Sequence, residues 1–232
     1  MSGSGFEAHD RPFYRATDGI AMFLAVSGWF LLLTLPFWLG LLLLAPVVGN
    51  AAVFALTALP IGPALVAALY AIRRRGGPTE DRTPTQLYFA GLRQGWRQAL
   101  VFWTPFLAVV TAAMVTTLTG VADTGAGAAW QFAFALVLLV AVPWLWLTLT
   151  VVANFTFRSR DVARLCMFYT LTKPMVSLGL IALTVGLGLL VAQTFDWILA
   201  PLGSVVAWAV VTLARPVTDH VEDHFVGGDT AV

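Results

Sequence analysis

Charge is scarce in this sequence. Asp, Glu, Lys and Arg together make 11% of 232 residues, against roughly 25% in a soluble domain. Hydrophobic residues make 59%. A soluble fold this apolar would expose large sticky patches, whereas lipid as solvent removes that difficulty. The net charge of +1 gives no argument for nucleic-acid binding. Cys166 is the only cysteine, so no internal disulfide can form. It reads as a small buried apolar side chain in a reducing compartment. Lysine is almost absent: Lys173 stands alone among arginines. With the plentiful Ala and Gly, this hints at a GC-rich bacterial genome.

Chemistry-bearing patterns are missing too. There is no Walker loop and no Ser or Cys with a base at catalytic spacing. Gly186-Leu-Gly188 lacks the third glycine and the preceding strand of a dinucleotide site. No ionisable residue lies at the centre of a hydrophobic run, which argues against a proton-coupled transporter. The expectation is a non-enzyme without cofactor or metal.

Long hydrophobic runs dominate what is present. A helix needs about 20 apolar residues to cross the hydrocarbon. The candidate runs are Ile20–Ala45, Val47–Ile72, Ala99–Gly120, Trp130–Ala153, Met175–Phe195 and Trp197–Ala214. The first is far longer than the apolar core of a signal peptide, about 7–15 residues, and is read as an uncleaved span. All 13 basic residues fall in alternate gaps between the runs. Arg11 and Arg15 precede the first run. Arg73, Arg74, Arg75, Arg82, Arg93 and Arg97 lie between the second and third. Arg158, Arg160, Arg164 and Lys173 lie between the fourth and fifth, and Arg215 follows the sixth. The other gaps hold only the acids Asp123 and Asp196. Because basic residues near span ends stay inside, the pattern predicts both termini in the cytosol. The expected fold is an all-α polytopic bundle of about six transmembrane helices in the bacterial cytoplasmic membrane. It divides into a cytosolic tail (1–19), a transmembrane domain (20–214) and a cytosolic acidic tail (215–232).

Pro36, Pro60, Pro63, Pro105 and Pro143 lie within the runs. A span tolerates proline where neighbours satisfy the freed carbonyls, so these sites are expected to face other helices. Trp29, Trp38, Trp96, Trp103, Trp130 and Trp197 suit the interface, while Trp144 and Trp146 must pack inside or face acyl chains. Gly91, Gly95 and Ala99 recur every four residues, as do Ala182/Gly186 and Gly188/Ala192. Such spacing lets helix backbones approach closely, chiefly within one bundle, with homodimerisation as the alternative.

Two basic segments carry the recognisable local structure. Thr83-Pro84-Thr85-Gln86 reads as a capping box with proline at the first helical position. Gln86, Arg93 and Arg97 then share one helical face, and Tyr88, Leu92 and Trp96 another. This predicts an amphipathic helix on the membrane surface that turns into the third span. In the second segment Arg160 and Arg164 stand one turn apart, Asp161 can pair with Arg164, and Lys173-Pro174 leads into the fifth span. The two segments admit a repeated three-helix unit or mere repetition of the charge rule. The arginines Arg73, Arg74, Arg75, Arg93, Arg97, Arg160 and Arg164 have two readings. One is topology with contact to anionic headgroups; the other is a docking face for an acidic cytosolic partner. In the tail, His220 and His224 stand one turn apart but lack a third ligand, so a solvated acidic tail is expected.

Two prolines and Gly62 must break or kink the second span, freeing carbonyls such as those of Thr57 and Leu59 for a cavity or a neighbouring helix. The same stretch carries a resemblance. Phe13-Tyr14-Arg15 with Asp18, Leu59-Pro60-Ile61-Gly62-Pro63-Ala64 with Ala68-Leu69-Tyr70, and Trp96-Arg97-Gln98-Ala99 resemble the YesL-like family of bacterial membrane proteins of unknown function. The resemblance covers about the first 110 residues, the second half being similar only in its pattern of spans. It implies an integral membrane protein with an accessory role in carbohydrate uptake, and it carries over no catalytic residue. The expected function is therefore a non-enzymatic accessory component beside a transporter subunit. A small permease for a neutral solute is the alternative, with Pro60, Gly62 and Pro63 marking a groove, and a membrane enzyme comes third.

Overall fold

A computed structural model describes residues 12–45, 47–75, 82–119, 125–155, 157–193 and 199–221. Within them the chain forms eight α-helices and no strand. In order these are α1 (Pro12–Leu43), α2 (Ala51–Ala58), α3 (Ile61–Arg73), α4 (Pro84–Leu118), α5 (Gly125–Asn154), α6 (Ser159–Thr172), α7 (Pro174–Gln193) and α8 (Leu199–Val221). The stretches Gly19–Leu43, Val48–Arg73, Pro84–Leu118 and Gly127–Asn154 are each long and apolar enough to cross a membrane. The pair α6–α7 is a fifth candidate, as a broken span bent by 96°. The protein is thus an all-α membrane bundle. Leu24, Leu32, Leu42, Phe132 and Leu189 stand exposed on its outer face, as lipid-facing side chains should.

The centre of the bundle is α3. Every residue from Gly62 to Ile72 is buried, and Ala64, Val66, Ala67, Ala68, Leu69 and Ala71 are wholly inaccessible. A helix apolar all round belongs in a core. Its alanines let α1, α4, α5 and α8 close around it. Next to α4 the approach is closest. Gly91 sits where a Cβ would meet the Tyr70 ring at 2.6 Å, and Gly95 where one would meet Val66 at 2.5 Å. The expected packing role of Gly91, Gly95 and Ala99 therefore holds within the bundle. The second small-residue set behaves differently: Gly186 and Gly188 on α7 face open space. In a helix on the bundle's edge, helical spacing alone does not supply a neighbour.

The helix start at Thr83 forms as expected. Its hydroxyl accepts from the Gln86 amide at 3.4 Å, and the Gln86 side chain accepts from the Thr83 amide at 3.2 Å. The sequel corrects the sequence reading. The amphipathic stretch and the third span are one helix of 35 residues, with no turn before Ala99. At 1.5 Å per residue it is about 52 Å long, against about 30 Å of hydrocarbon. Gly91 and Gly95 pack closely on Tyr70 and Val66 of α3 along this stretch, and the helix runs on through the buried Ala99. The helix set at a right angle is α6 instead. Pro174 has no amide hydrogen and disfavours helical backbone at Lys173, which ends α6 and starts α7 in a new direction. The two basic segments consequently fold differently and do not form a structural repeat.

Proline placement is a second correction. Pro63 and Pro143 are buried, but Pro36 and Pro105 are exposed on the outer face. The ring is itself apolar and fits a lipid-facing surface. The tryptophans divide likewise. Trp96 and Trp130 are exposed, as expected for interface aromatics, whereas Trp38 and Trp103 are buried. Trp144 donates to the Ala163 carbonyl at 3.2 Å and Trp146 to the Thr184 hydroxyl at 3.0 Å, which fixes α5 to α6 and α7. Ser27 and Ser204 share a hydrogen bond of 2.6 Å between α1 and α8. At its end, α8 continues past Arg215 to Val221, with Val217, Thr218 and Val221 buried, so the first residues assigned to the tail belong to the bundle. Asp123, Asp196, Trp197 and His224 lie outside the described residues.

Candidate functional site

The proline break in the second span builds the most distinctive surface. Between α2 and α3, Leu59 and Pro60 form a turn. Pro60 cannot donate to the carbonyl four residues back, and the Leu59 amide reaches Leu56 instead, at 3.2 Å. The helix restarts when the Ala64 amide meets the Pro60 carbonyl at 3.0 Å. One carbonyl at the break is taken up by a neighbour. The Trp103 indole of α4 donates to Ala58 at 3.0 Å. The sequence pointed to Thr57 and Leu59 for this role, one residue to either side.

Gly62 explains how that indole arrives. A Cβ on Gly62 would lie 2.6 Å from Trp103 Cγ. Gly62 is therefore a packing residue under Trp103. It is not among the residues that line the groove, which was the alternative reading of this stretch. Pro60 and Pro63 do line it. Together with Leu33 of α1, Leu59, and Phe89, Leu92, Arg93, Trp96 and Leu100 of α4, they enclose a lateral groove of about 640 Å³. Its walls are apolar except for Arg93. Trp29 donates to Thr85 at 3.1 Å and packs edge-on to Phe89 at 4.8 Å, which fixes α1 to α4 near Phe89. A surface of this kind suits an acyl chain or the apolar side of another helix. It offers a sugar or an ion almost nothing to hydrogen-bond.

The basic residues do not gather at this groove. Arg93 lies on its wall, and the exposed Arg97 sits over the Trp96 ring at 5.2 Å. Arg74 stacks on Tyr70 at 4.7 Å. Arg160 and Arg164 are exposed on α6 beside Phe168 and Leu171, also exposed, so this helix presents basic and apolar side chains on one outward face. Arg73, Arg75 and Arg215 line a separate cleft, a convergence that no spacing along the chain encodes. Lys173 donates to the Pro216 carbonyl at 2.5 Å, and Gln98 to the Phe157 carbonyl at 3.0 Å. These contacts draw the start of α1, the end of α3, the turn between α6 and α7 and the end of α8 to one side of the bundle.

Among the described residues, no three His, Cys, Asp or Glu side chains come together as a metal site would need. Cys166 is wholly buried. Compared with protein-family models, curated proteins and solved structures, the chain matches none.

Proposed function

We propose that this is a non-enzymatic accessory component of a membrane transport system, with its basic side in the cytosol. One observation carries the reading: the middle of the bundle is filled. Val26, Val66, Leu69, Leu147, Leu149 and Val210 are buried at its centre, with no more than 1% exposure. The polar groups there are spent on packing, Ser27 on Ser204 and Thr148 and Thr150 on their own helix. A solute path needs polar groups left over to replace water, and these have been used. The lateral groove and the basic side instead offer surfaces to a neighbour in the membrane. This agrees with the accessory role in carbohydrate uptake that the resemblance to the YesL-like family implies.

The second reading, a permease for a neutral solute, draws on the 640 Å³ groove at Pro60 and Pro63. Its apolar walls count against a sugar and leave the accessory role ahead. The test combines capture with flux. A tagged chain taken from its native membrane in mild detergent is expected to bring transporter subunits with it. Vesicles holding the purified chain alone are expected to pass labelled sugars no faster than empty ones. Flux through the chain alone, with no co-purified subunit, overturns the proposal in favour of the permease.

A further inference from the structure

We infer that α6 lies in the plane of the membrane and docks its outward side on anionic lipid. The turn at Lys173-Pro174 sets the geometry. Beyond it, α7 has 20 residues and no charged side chain. At 1.5 Å per residue it is about 30 Å long, the thickness of the hydrocarbon. α6 meets it at 96°. A helix at a right angle to a spanning helix runs parallel to the bilayer surface. The 14 residues of α6 make about 21 Å, too short to span on their own.

The helix has two sides. Val162, Cys166, Tyr169 and Thr170 are buried toward the bundle, where Trp144 of α5 donates to the Ala163 carbonyl at 3.2 Å. At 100° per residue, Arg160, Arg164, Met167, Phe168 and Leu171 fall on the opposite side, and all five are exposed. Along that side the chemistry is graded. The first half carries the two guanidiniums. The second half carries the large apolar side chains, with Phe168 60% and Leu171 66% exposed. Basic side chains reach headgroup phosphates while apolar ones on the same helix enter the acyl boundary. Past the turn, Met175 and Leu178 of α7 are exposed as well. The apolar half of α6 thus passes into the lipid-facing side of α7, which favours lipid over a soluble protein as what covers it. The charge of the segment favours an anionic surface. From 157 to 175 the sequence holds Arg158, Arg160, Arg164 and Lys173 against one carboxylate, Asp161. Lys173 donates to the Pro216 carbonyl, and the three arginines are exposed. The inference does not rest on the accessory role or on which side of the membrane is cytosolic.

The test uses the purified full chain in vesicles of phosphatidylcholine and phosphatidylglycerol. A fluorescent probe is attached at Phe168→Cys or Leu171→Cys, and the native chain, whose Cys166 is wholly buried, gives the background. Quenching by nitroxide-labelled phospholipid is expected at both positions, and more by phosphatidylglycerol than by phosphatidylcholine carrying the same label. Adding Arg160→Gln or Arg164→Gln is expected to lower that preference about fivefold, a basic residue near an anionic headgroup contributing about 1 kcal/mol. Quenching by phosphatidylcholine should persist in both variants, which shows that the helix keeps its place. Asp161→Asn, which removes the carboxylate, is expected to raise the preference. Two results overturn the inference. Probes quenched from water and not by either lipid mean that this side faces water and is open to a soluble protein. Equal quenching by the two lipids, or a preference unchanged by both arginine variants, means that α6 does not select anionic lipid.

Discussion

Gly62→Ala is the sharpest test of the packing, because two effects of opposite sign meet there. Alanine in place of glycine in a helix ordinarily stabilises by up to about 1 kcal/mol. Here the new Cβ would lie 2.6 Å from Trp103 Cγ and 2.7 Å from Trp103 Cβ. The indole cannot yield freely. It is 8% exposed and tied to Ala58 by a hydrogen bond of 3.0 Å. Overpacking of this kind costs about 1–3 kcal/mol. Loss of a polar contact between membrane helices adds about 0.6 kcal/mol. The clash therefore wins, and Gly62→Ala should destabilise by about 2 kcal/mol. In a Trp103→Leu background the obstruction is gone, so the same substitution should be neutral or stabilising. The coupling between the two sites should exceed about 1 kcal/mol. Reversible unfolding of the purified protein in mixed micelles measures all four corners of the cycle. An equal cost of Gly62→Ala in both backgrounds, or no cost in the native one, would mean that Trp103 does not bar a side chain at position 62.

Two further predictions concern the bundle. Thr83→Ala removes the capping hydroxyl at the start of α4 and should cost about 1 kcal/mol, seen as faster amide exchange confined to the first turn of that helix. Ser27→Ala should cost about 0.6 kcal/mol in micelle unfolding by leaving Ser204 without its partner. Adding Ser204→Ala should recover most of that loss, since removing both partners leaves no orphaned hydroxyl.

What could be read from the sequence was local. The capping box at Thr83 is complete within four residues, and the breaks at Pro60 and Lys173-Pro174 follow from one ring without an amide hydrogen. The close approach at Gly91 and Gly95 was legible as spacing, but its partners Tyr70 and Val66 were not, because nothing nearby in the chain names α3. The same limit explains the errors. Pro36 and Pro105 were placed inward by a rule about satisfied carbonyls, whereas their position on the helix turned them to the outer face. A surface helix was expected before Ala99, where continuous packing on α3 left no reason to bend. The candidate sites were legible in part. Pro60, Pro63 and Arg93 line the groove, but Gly62 serves Trp103. The arginine cleft joins residues from α1, α3, α5 and α8, and no spacing within one segment encodes such a meeting.

We propose that the basic ends of the membrane bundle share the cytosolic side. The two ends of α4 test it most directly. Arg82→Cys and Thr119→Cys, each introduced singly with Cys166 replaced by alanine, place a thiol at either end of a 35-residue helix. Labelling with a membrane-impermeant maleimide is compared between intact spheroplasts and inverted membrane vesicles. With the basic ends in the cytosol, the thiol at 82 reacts only in inverted vesicles and the thiol at 119 only in spheroplasts. Reaction of both thiols from the same side, or the reverse pattern, contradicts it.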